Sequence, residues 1–161
     1  MKDLLDKLST YNIFNYLFPG SLFVVILDKV TSYSLIQKDI VIGVFVYYFI
    51  GLVISRFGSL IVEPLLKKLT FLSYSDYSEF VSASNLDQKI ELLSEQNNMY
   101  RTLISMLIIL LLLKGFESIV DFFPILIDLS PLLLFLILIL VFLFSLKKQS
   151  NYITKRIRNT K

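Results

Sequence analysis

Residues 131–146 carry no charge, no glycine and one polar side chain, the hydroxyl of Ser145. A helix in water needs a polar face, and this segment offers none. Residues 106–113 have the same character, and 55% of the chain is hydrophobic, which exceeds the usual range of soluble domains. The mean hydropathy is +0.70. These features predict an all-α integral membrane protein.

The apolar stretches predict four transmembrane helices within a single membrane domain, residues 1–161. Because a helix needs about 20 residues to cross the hydrocarbon core, the short apolar part of the first span must be extended at one end. In the fourth span, Ser130 and Pro131 predict the helix start, as an N-cap followed by a proline in the first turn. This span is expected to face lipid. The predicted spans are about 12–30, 39–60, 100–120 and 129–146.

Three polar segments flank these spans. Residues 1–11 have apolar side chains at helical spacing, which indicates either an amphipathic helix on the membrane surface or a frayed terminus. Residues 67–99 are predicted to form a helical cytoplasmic loop, with one helix starting near Asp76 and a long one running from about 86 to 113. Residues 147–161 form a basic tail that contains six bases and no acid.

The distribution of positive charge predicts the orientation. Four spans leave twelve bases on one side of the membrane, with Arg56 near the same face, against Lys29, Lys38 and Lys114 on the other. Such a bias marks the cytoplasmic side. Both termini and the central loop are therefore expected in the cytoplasm, and the protein in a bacterial inner membrane.

Small residues recur on one face of the second span. Such spacing lets a neighbouring helix approach closely, which is how membrane helices pack without a hydrophobic driving force. Because glycine is frequent in membrane helices anyway, composition alone is the alternative explanation. The predicted helix-packing residues are Gly51, Ser55, Gly58 and Ser59.

Charged residues follow on the same span. Arg56 and Glu63 are seven apart and share a face, while Glu63 and Lys67 are four apart in the favourable order for an ion pair. One interpretation is that Arg56 only marks the cytoplasmic boundary. The other is a latch, in which Arg56 contacts Glu63 or acids of the loop, responds to an anionic signal and involves Lys67.

A heptad-like stripe begins in the central loop and continues into the third span. It consists of Leu86, Ile90, Leu93, Asn97 and Tyr100, followed by Ile104. Its alternating spacing of four and three predicts packing against a second copy of the chain or against the preceding short helix.

Several classes of chemistry lack support in the sequence. The chain has no cysteine and no histidine, which removes thiolate chemistry, disulfides, the commonest metal ligand and the commonest general base. No phosphate-binding loop or nucleophile elbow is present. We therefore expect no enzymatic activity, no cofactor and no metal site. Nucleic-acid binding is not expected either, because a basic tail beside a span is usually topogenic and attracted to anionic lipid.

The chain resembles a family of small, uncharacterised bacterial four-span membrane proteins. The resemblance covers nearly the whole chain and is carried by N-I-F-N-Y-L-F-P-G near the start, Y-Y-F-I-G-L-V-I-S-R-F-G-S-L-I-V-E-P with its two lysines, and K-I-E-L-L-S-E-Q-N-N-M-Y-R-T-L. It implies no chemistry. Size and topology also suggest, by analogy, a membrane effector in phage defence.

Three functions are compatible with these features. The first is a homo-oligomer that couples a cytoplasmic signal or partner to the membrane bundle, as a gated pore or defence effector. The second is an anchor or scaffold that docks a soluble cytoplasmic protein. The third is a holin-like protein that permeabilises the membrane. The expected partners are the lipid bilayer, further copies of the chain and, in the second case, that soluble protein.

Overall fold

The computed structural model describes residues 11–159, of which 86% are helical and none forms a strand. Residues 1–10 of the predicted surface helix and residues 160–161 of the basic tail lie outside this range. Five helices follow in order: α1 (Ile13–Val30), α2 (Ile40–Lys68), α3 (Tyr77–Leu86), α4 (Lys89–Phe122) and α5 (Ile125–Asn159). All except α3 are long and apolar enough to span a membrane. The all-α class is confirmed, and four helices have the length and apolar character expected of membrane spans.

Helices α2, α4 and α5 extend beyond the predicted spans. α2 continues without a break to Lys68, and α4 joins the second part of the predicted loop to the third span in one helix. The predicted N-cap at Ser130 is wrong, because α5 already begins at Ile125 and contains Pro131. Pro131 has no N–H for the carbonyl of Ile127, and the Ser130 hydroxyl donates to that carbonyl instead, at 2.8 Å. The helix therefore continues through the proline.

α1 begins with a wide π-helical turn, Ile13–Leu17, and a second such turn interrupts α2 at Gly58–Val62. Each is followed by one residue and then a proline, Pro19 or Pro64. The residue before the proline donates its N–H five positions back, from Glu63 to the carbonyl of Gly58 in α2. A proline cannot continue the ordinary bonding pattern, so the helix shifts its register just before it.

The core lies between α1, α2 and α4. Phe23, Val24 and Leu27 of α1 pack against Ile54 of α2 and against Met106 and Leu110 of α4. α5 packs at the edge of this group, where the Phe142 ring lies 6.0 Å from that of Phe49. Val141 is its only buried apolar side chain among residues 125–158. α5 therefore presents most of its apolar surface outward, towards lipid.

Two glycines set the distance between α1 and α2. A Cβ at Gly20 would collide with the carbonyl oxygen of Tyr47, and one at Gly51 with that of Tyr16. The close-packing surface on α2 thus faces α1 of the same chain at Gly51. Absence of side chains at these points allows backbone contact between the helices.

Replacing Gly51 by alanine should therefore destabilise the bundle. Overpacking of a rigid backbone contact costs about 1–3 kcal/mol, so the thermal midpoint in detergent should fall. Gly115→Ala is the matched control, because a Cβ there meets nothing within 4 Å. This control should leave stability unchanged or raise it slightly through better helix propensity. Equal midpoints for the two variants would contradict the packing described here.

Candidate functional site

The polar centre of the protein is the Glu63 carboxylate, near the end of α2. Glu63 is only 7% exposed. It follows directly after the π turn of α2 and precedes Pro64, so its position depends on the register shift that the proline imposes. A buried carboxylate is costly unless cations and hydrogen bonds compensate it.

Cations from three helices compensate this charge. Arg101 of α4 binds one carboxylate oxygen at 2.6 Å, and Lys67 of α2 binds the other at 2.9 Å. The ammonium of Lys148 in α5 lies 3.9 Å from the oxygen that Arg101 binds. Glu63 therefore connects α2 with α4 and α5 through electrostatic attraction. We call these four residues the Glu63 cluster.

Lys148 also donates to a backbone carbonyl that lacks a donor because of the proline. The carbonyl of Ser59 cannot bond Glu63 N–H, which donates to Gly58, and Pro64 has no N–H to give. Lys148 Nζ donates to this carbonyl and to the Ser59 hydroxyl, both at 2.7 Å. An unpaired carbonyl within a membrane helix costs several kcal/mol, so this contact holds α5 in register with α2.

Around the Glu63 cluster lies an open cleft of about 1110 Å³, which we call the basic cleft. It is bounded by α2, α3, α4 and α5, by the segment that leads into α3, and by Tyr11 and Tyr16. Five basic and three acidic side chains line it, together with five tyrosines, and the excess of positive charge makes it a favourable place for an anion. The charged lining residues are Arg56, Lys67, Arg101, Lys148, Lys155, Glu63, Asp76 and Glu79.

Tyrosines form part of the wall. The rings of Tyr11 and Tyr16 meet edge to face at 6.1 Å, and those of Tyr16 and Tyr48 at 5.5 Å. The Tyr11 hydroxyl accepts a hydrogen bond from the Asn98 amide at 3.5 Å. Burial raises the pKa of the Tyr11 phenol above its usual value, so this group is neutral at physiological pH. Tyr74 lies under the Lys67 ammonium, which is 4.3 Å from the ring centre.

Arg56 occupies a different position from the one the latch hypothesis requires. It is half-buried and lines the basic cleft, but it forms no ion pair with any acid among residues 11–159. Glu63 is instead paired with Arg101, which the sequence marks only as the start of a span. The Glu63–Lys67 pair expected from the four-residue spacing is present. The Arg56–Glu63 contact of the latch hypothesis is therefore wrong. The positive charge that Arg56 adds to the cleft has no acidic partner among the described residues.

The small residues of α2 are all buried, and they face more than one neighbour. Gly51 meets α1, whereas a Cβ at Gly58 would collide with the Ser105 hydroxyl of α4. Ser59 contacts Lys148, and Ser55 lines the basic cleft. Ser105 and Thr102 bond their own helix's carbonyls, at 2.7 and 2.8 Å, which lets α4 approach α2 without unpaired hydroxyls.

The heptad-like stripe is mostly uncovered within one chain. Leu86 is 90% exposed, Leu93 61% and Tyr100 59%. Ile90 lines the basic cleft, and the Asn97 amide donates to the Tyr74 hydroxyl at 2.8 Å. The long helix predicted from about residue 86 begins at Lys89, where Asp87 accepts a hydrogen bond from the Lys89 N–H at 2.9 Å. α3 therefore covers little of the stripe.

At the opposite end of the bundle a smaller polar contact closes the loops. Glu117 accepts from Lys114 at 2.7 Å and from the backbone N–H of Ser32 at 2.6 Å. The Lys114–Glu117 pairing follows from their spacing on one helix, whereas the link to Ser32 joins α4 to the segment after α1. Residues 11–159 contain no group of three potential metal-ligating side chains of the kind that holds a metal ion.

Comparisons with protein-family models, with curated proteins and with solved structures found no match to this chain. The interpretation of the site therefore depends on its geometry.

Glu63→Gln should destabilise the bundle by about 3 kcal/mol, because Arg101 and Lys148 would keep buried charges without a counter-charge. Thermal unfolding in detergent measures this loss. Glu91→Gln removes the same charge from an exposed position of α4 and should have little effect. Adding Arg101→Met to Glu63→Gln should restore part of the stability, since one uncompensated cation is removed. Strict additivity of the two substitutions would show that the cluster is not coupled.

Proposed function

We propose that this multi-pass membrane protein binds an anionic ligand in the basic cleft and couples its occupancy to the helix bundle. The observation that carries the proposal is the charge of the cleft: one buried carboxylate is surrounded by three cations, and Arg56 beside them has no acidic partner. Like charges grouped in a partly buried cleft repel one another, and a bound anion relieves this repulsion.

The Glu63 cluster supports a coupling mechanism. An anion in the cleft competes with Glu63 for Lys148 and Arg101, which belong to different helices. A ligand shifts a conformational equilibrium only by its differential affinity for two states, and exchange of ion-pair partners supplies such a difference. Weakening the attraction of Lys148 to Glu63 frees α5, which contributes little to the apolar core.

The charge bias supports a cytoplasmic location for the cleft. Among the described bases, Lys29, Lys38 and Lys114 lie at the end opposite the cleft, and the other ten lie at or near the cleft end. By the positive-inside rule this end faces the cytoplasm, with both termini, in an inner membrane. The ligand is then a cytoplasmic anion.

Self-association is the second part of the proposal. Two exposed apolar residues, Leu86 at the end of α3 and Leu93 near the start of α4, precede the membrane-spanning segment, where lipid does not cover them. The centre of a single bundle is filled by apolar side chains, so a conducting path would have to form between copies. Docking of a soluble protein is the alternative, favoured by α3, none of whose residues is buried against the described part of the chain.

Anion binding can be tested with inorganic pyrophosphate as the probe. At constant ionic strength, pyrophosphate should raise the thermal midpoint of the purified protein, since a ligand of the folded state stabilises it. Arg56→Gln should weaken the response about tenfold, the effect of losing one charged hydrogen bond. Lys38→Gln removes the same charge at the opposite end and should not. Equal responses of Arg56→Gln and Lys38→Gln to pyrophosphate would indicate a general ionic effect and exclude the cleft as the binding site. A protein that only docks a soluble partner should show no response to pyrophosphate.

Self-association can be tested through the stripe. Leu93→Asp should weaken self-association roughly tenfold or more, because a carboxylate would be buried between the helices of two copies. Leu92→Asp is the matched control: Leu92 is also exposed on α4 but lies off the stripe. Mass measurement of the particle in several detergents is the readout. A monomer in every detergent for the unsubstituted chain would refute the oligomer.

A further inference from the structure

A second cavity lies on the side of the bundle, between α2 and α5, and has a volume of about 610 Å³. Its walls are Leu60 and Ile61 of α2 and the apolar residues of α5 that face them. Its polar end is formed by Lys147, Lys148 and Asn151. We call this cavity the lateral groove. Nothing in the basic cleft proposal requires it.

The groove follows one face of α5. Ile137, Leu140, Phe144, Lys147 and Asn151 succeed one another at intervals of three or four, so they lie in one row along the helix. Along this row the side chains change from apolar to polar between Phe144 and Lys147. The rise from Ile137 to Lys147 is about 15 Å at 1.5 Å per residue. This equals about half of the 30 Å hydrocarbon core, the depth of one leaflet.

We propose that the lateral groove binds one anionic phospholipid, with an acyl chain against the apolar wall and the phosphate at Lys147 and Asn151. Lys147 is exposed and forms no ion pair with any described acid, so its ammonium is free for a phosphate. The neighbouring Lys148 adds positive charge at the same level. A zwitterionic headgroup would gain less from this pair of lysines.

A second copy of the chain fits the groove poorly. Two chains related by a two-fold axis along the membrane normal would pack α5 against α5 and bring the two Lys147 ammonium groups together. Like charges brought together at an interface oppose association. A lipid phosphate supplies the opposite charge at this point, which is why the lipid is the better occupant.

A tryptophan reporter tests the proposal, because the chain contains no tryptophan. Phe144→Trp places the reporter in the groove, and Leu146→Trp places it at nearly the same depth but about 200° around the helix. Each protein is reconstituted in phosphatidylcholine vesicles that contain either brominated phosphatidylglycerol or brominated phosphatidylcholine, at equal mole fraction. Bromine quenches tryptophan on contact. Phosphatidylglycerol should quench Phe144→Trp more strongly than phosphatidylcholine does, and Leu146→Trp should show no such preference.

Lys147→Gln, added to Phe144→Trp, should reduce the preference for phosphatidylglycerol about fivefold, the change that corresponds to about 1 kcal/mol per base at a membrane surface. Lys114→Gln, at the other end of the bundle, should leave it unchanged. Equal quenching by the two lipids at Phe144→Trp would overturn the proposal. The same preference at Leu146→Trp would also overturn the proposal, because the preference would then reflect only the surface potential. A dimer in which neither lipid quenches the Phe144→Trp reporter would overturn it as well.

The unsubstituted chain provides an independent measurement. After extraction from vesicles of mixed phosphatidylglycerol and phosphatidylcholine, native mass spectrometry should detect one phosphatidylglycerol retained per chain. Lys147→Gln should lose this retained lipid while keeping the mass of the intact protein. Equal retention of the two lipids by the unsubstituted chain would overturn the proposal, whatever the behaviour of the tryptophan variants.

Discussion

A carboxylate buried at the end of a membrane helix must be compensated, and the arrangement of the whole cleft end follows from this requirement. Glu63 draws Arg101 from α4 and Lys148 from α5 to the end of α2. The same lysine bonds the Ser59 carbonyl that Pro64 leaves without a donor. One cation thus compensates two separate defects of α2, a charge and an unpaired backbone group.

The apolar core has a different role. It holds α1, α2 and α4 at short distances, with glycines where backbones touch, and leaves α5 largely outside. The bundle therefore consists of three closely packed helices and a fourth that is attached mainly by a polar contact near one end and by the Phe49–Phe142 contact. The basic cleft and the lateral groove lie on two sides of this attachment, and Lys148 borders both.

The sequence predicts those features that depend on neighbouring residues. Long apolar runs predict four spans, and the spacing of Glu63 and Lys67 predicts their ion pair. The Arg101–Glu63 and Lys148–Ser59 contacts join residues 38 and 89 positions apart, and only the packing of three helices brings them together. No sequence periodicity indicates such a pairing. From the sequence, Arg101 is therefore predicted only to begin a span, and Lys148 only to be one base of the tail. The helix start predicted at Ser130 and Pro131 is wrong for a local reason: the Ser130 hydroxyl bonds the Ile127 carbonyl, and the helix continues through the proline.

The position of Lys148 late in the chain has a consequence for biogenesis. The second span is synthesised with an unpaired carbonyl near its end, at Ser59, and the lysine that bonds it follows the last span. Until that lysine emerges from the ribosome, the nascent helix lacks the donor that this carbonyl has in the finished protein. A chain cut short within the fourth span keeps the carbonyl unpaired.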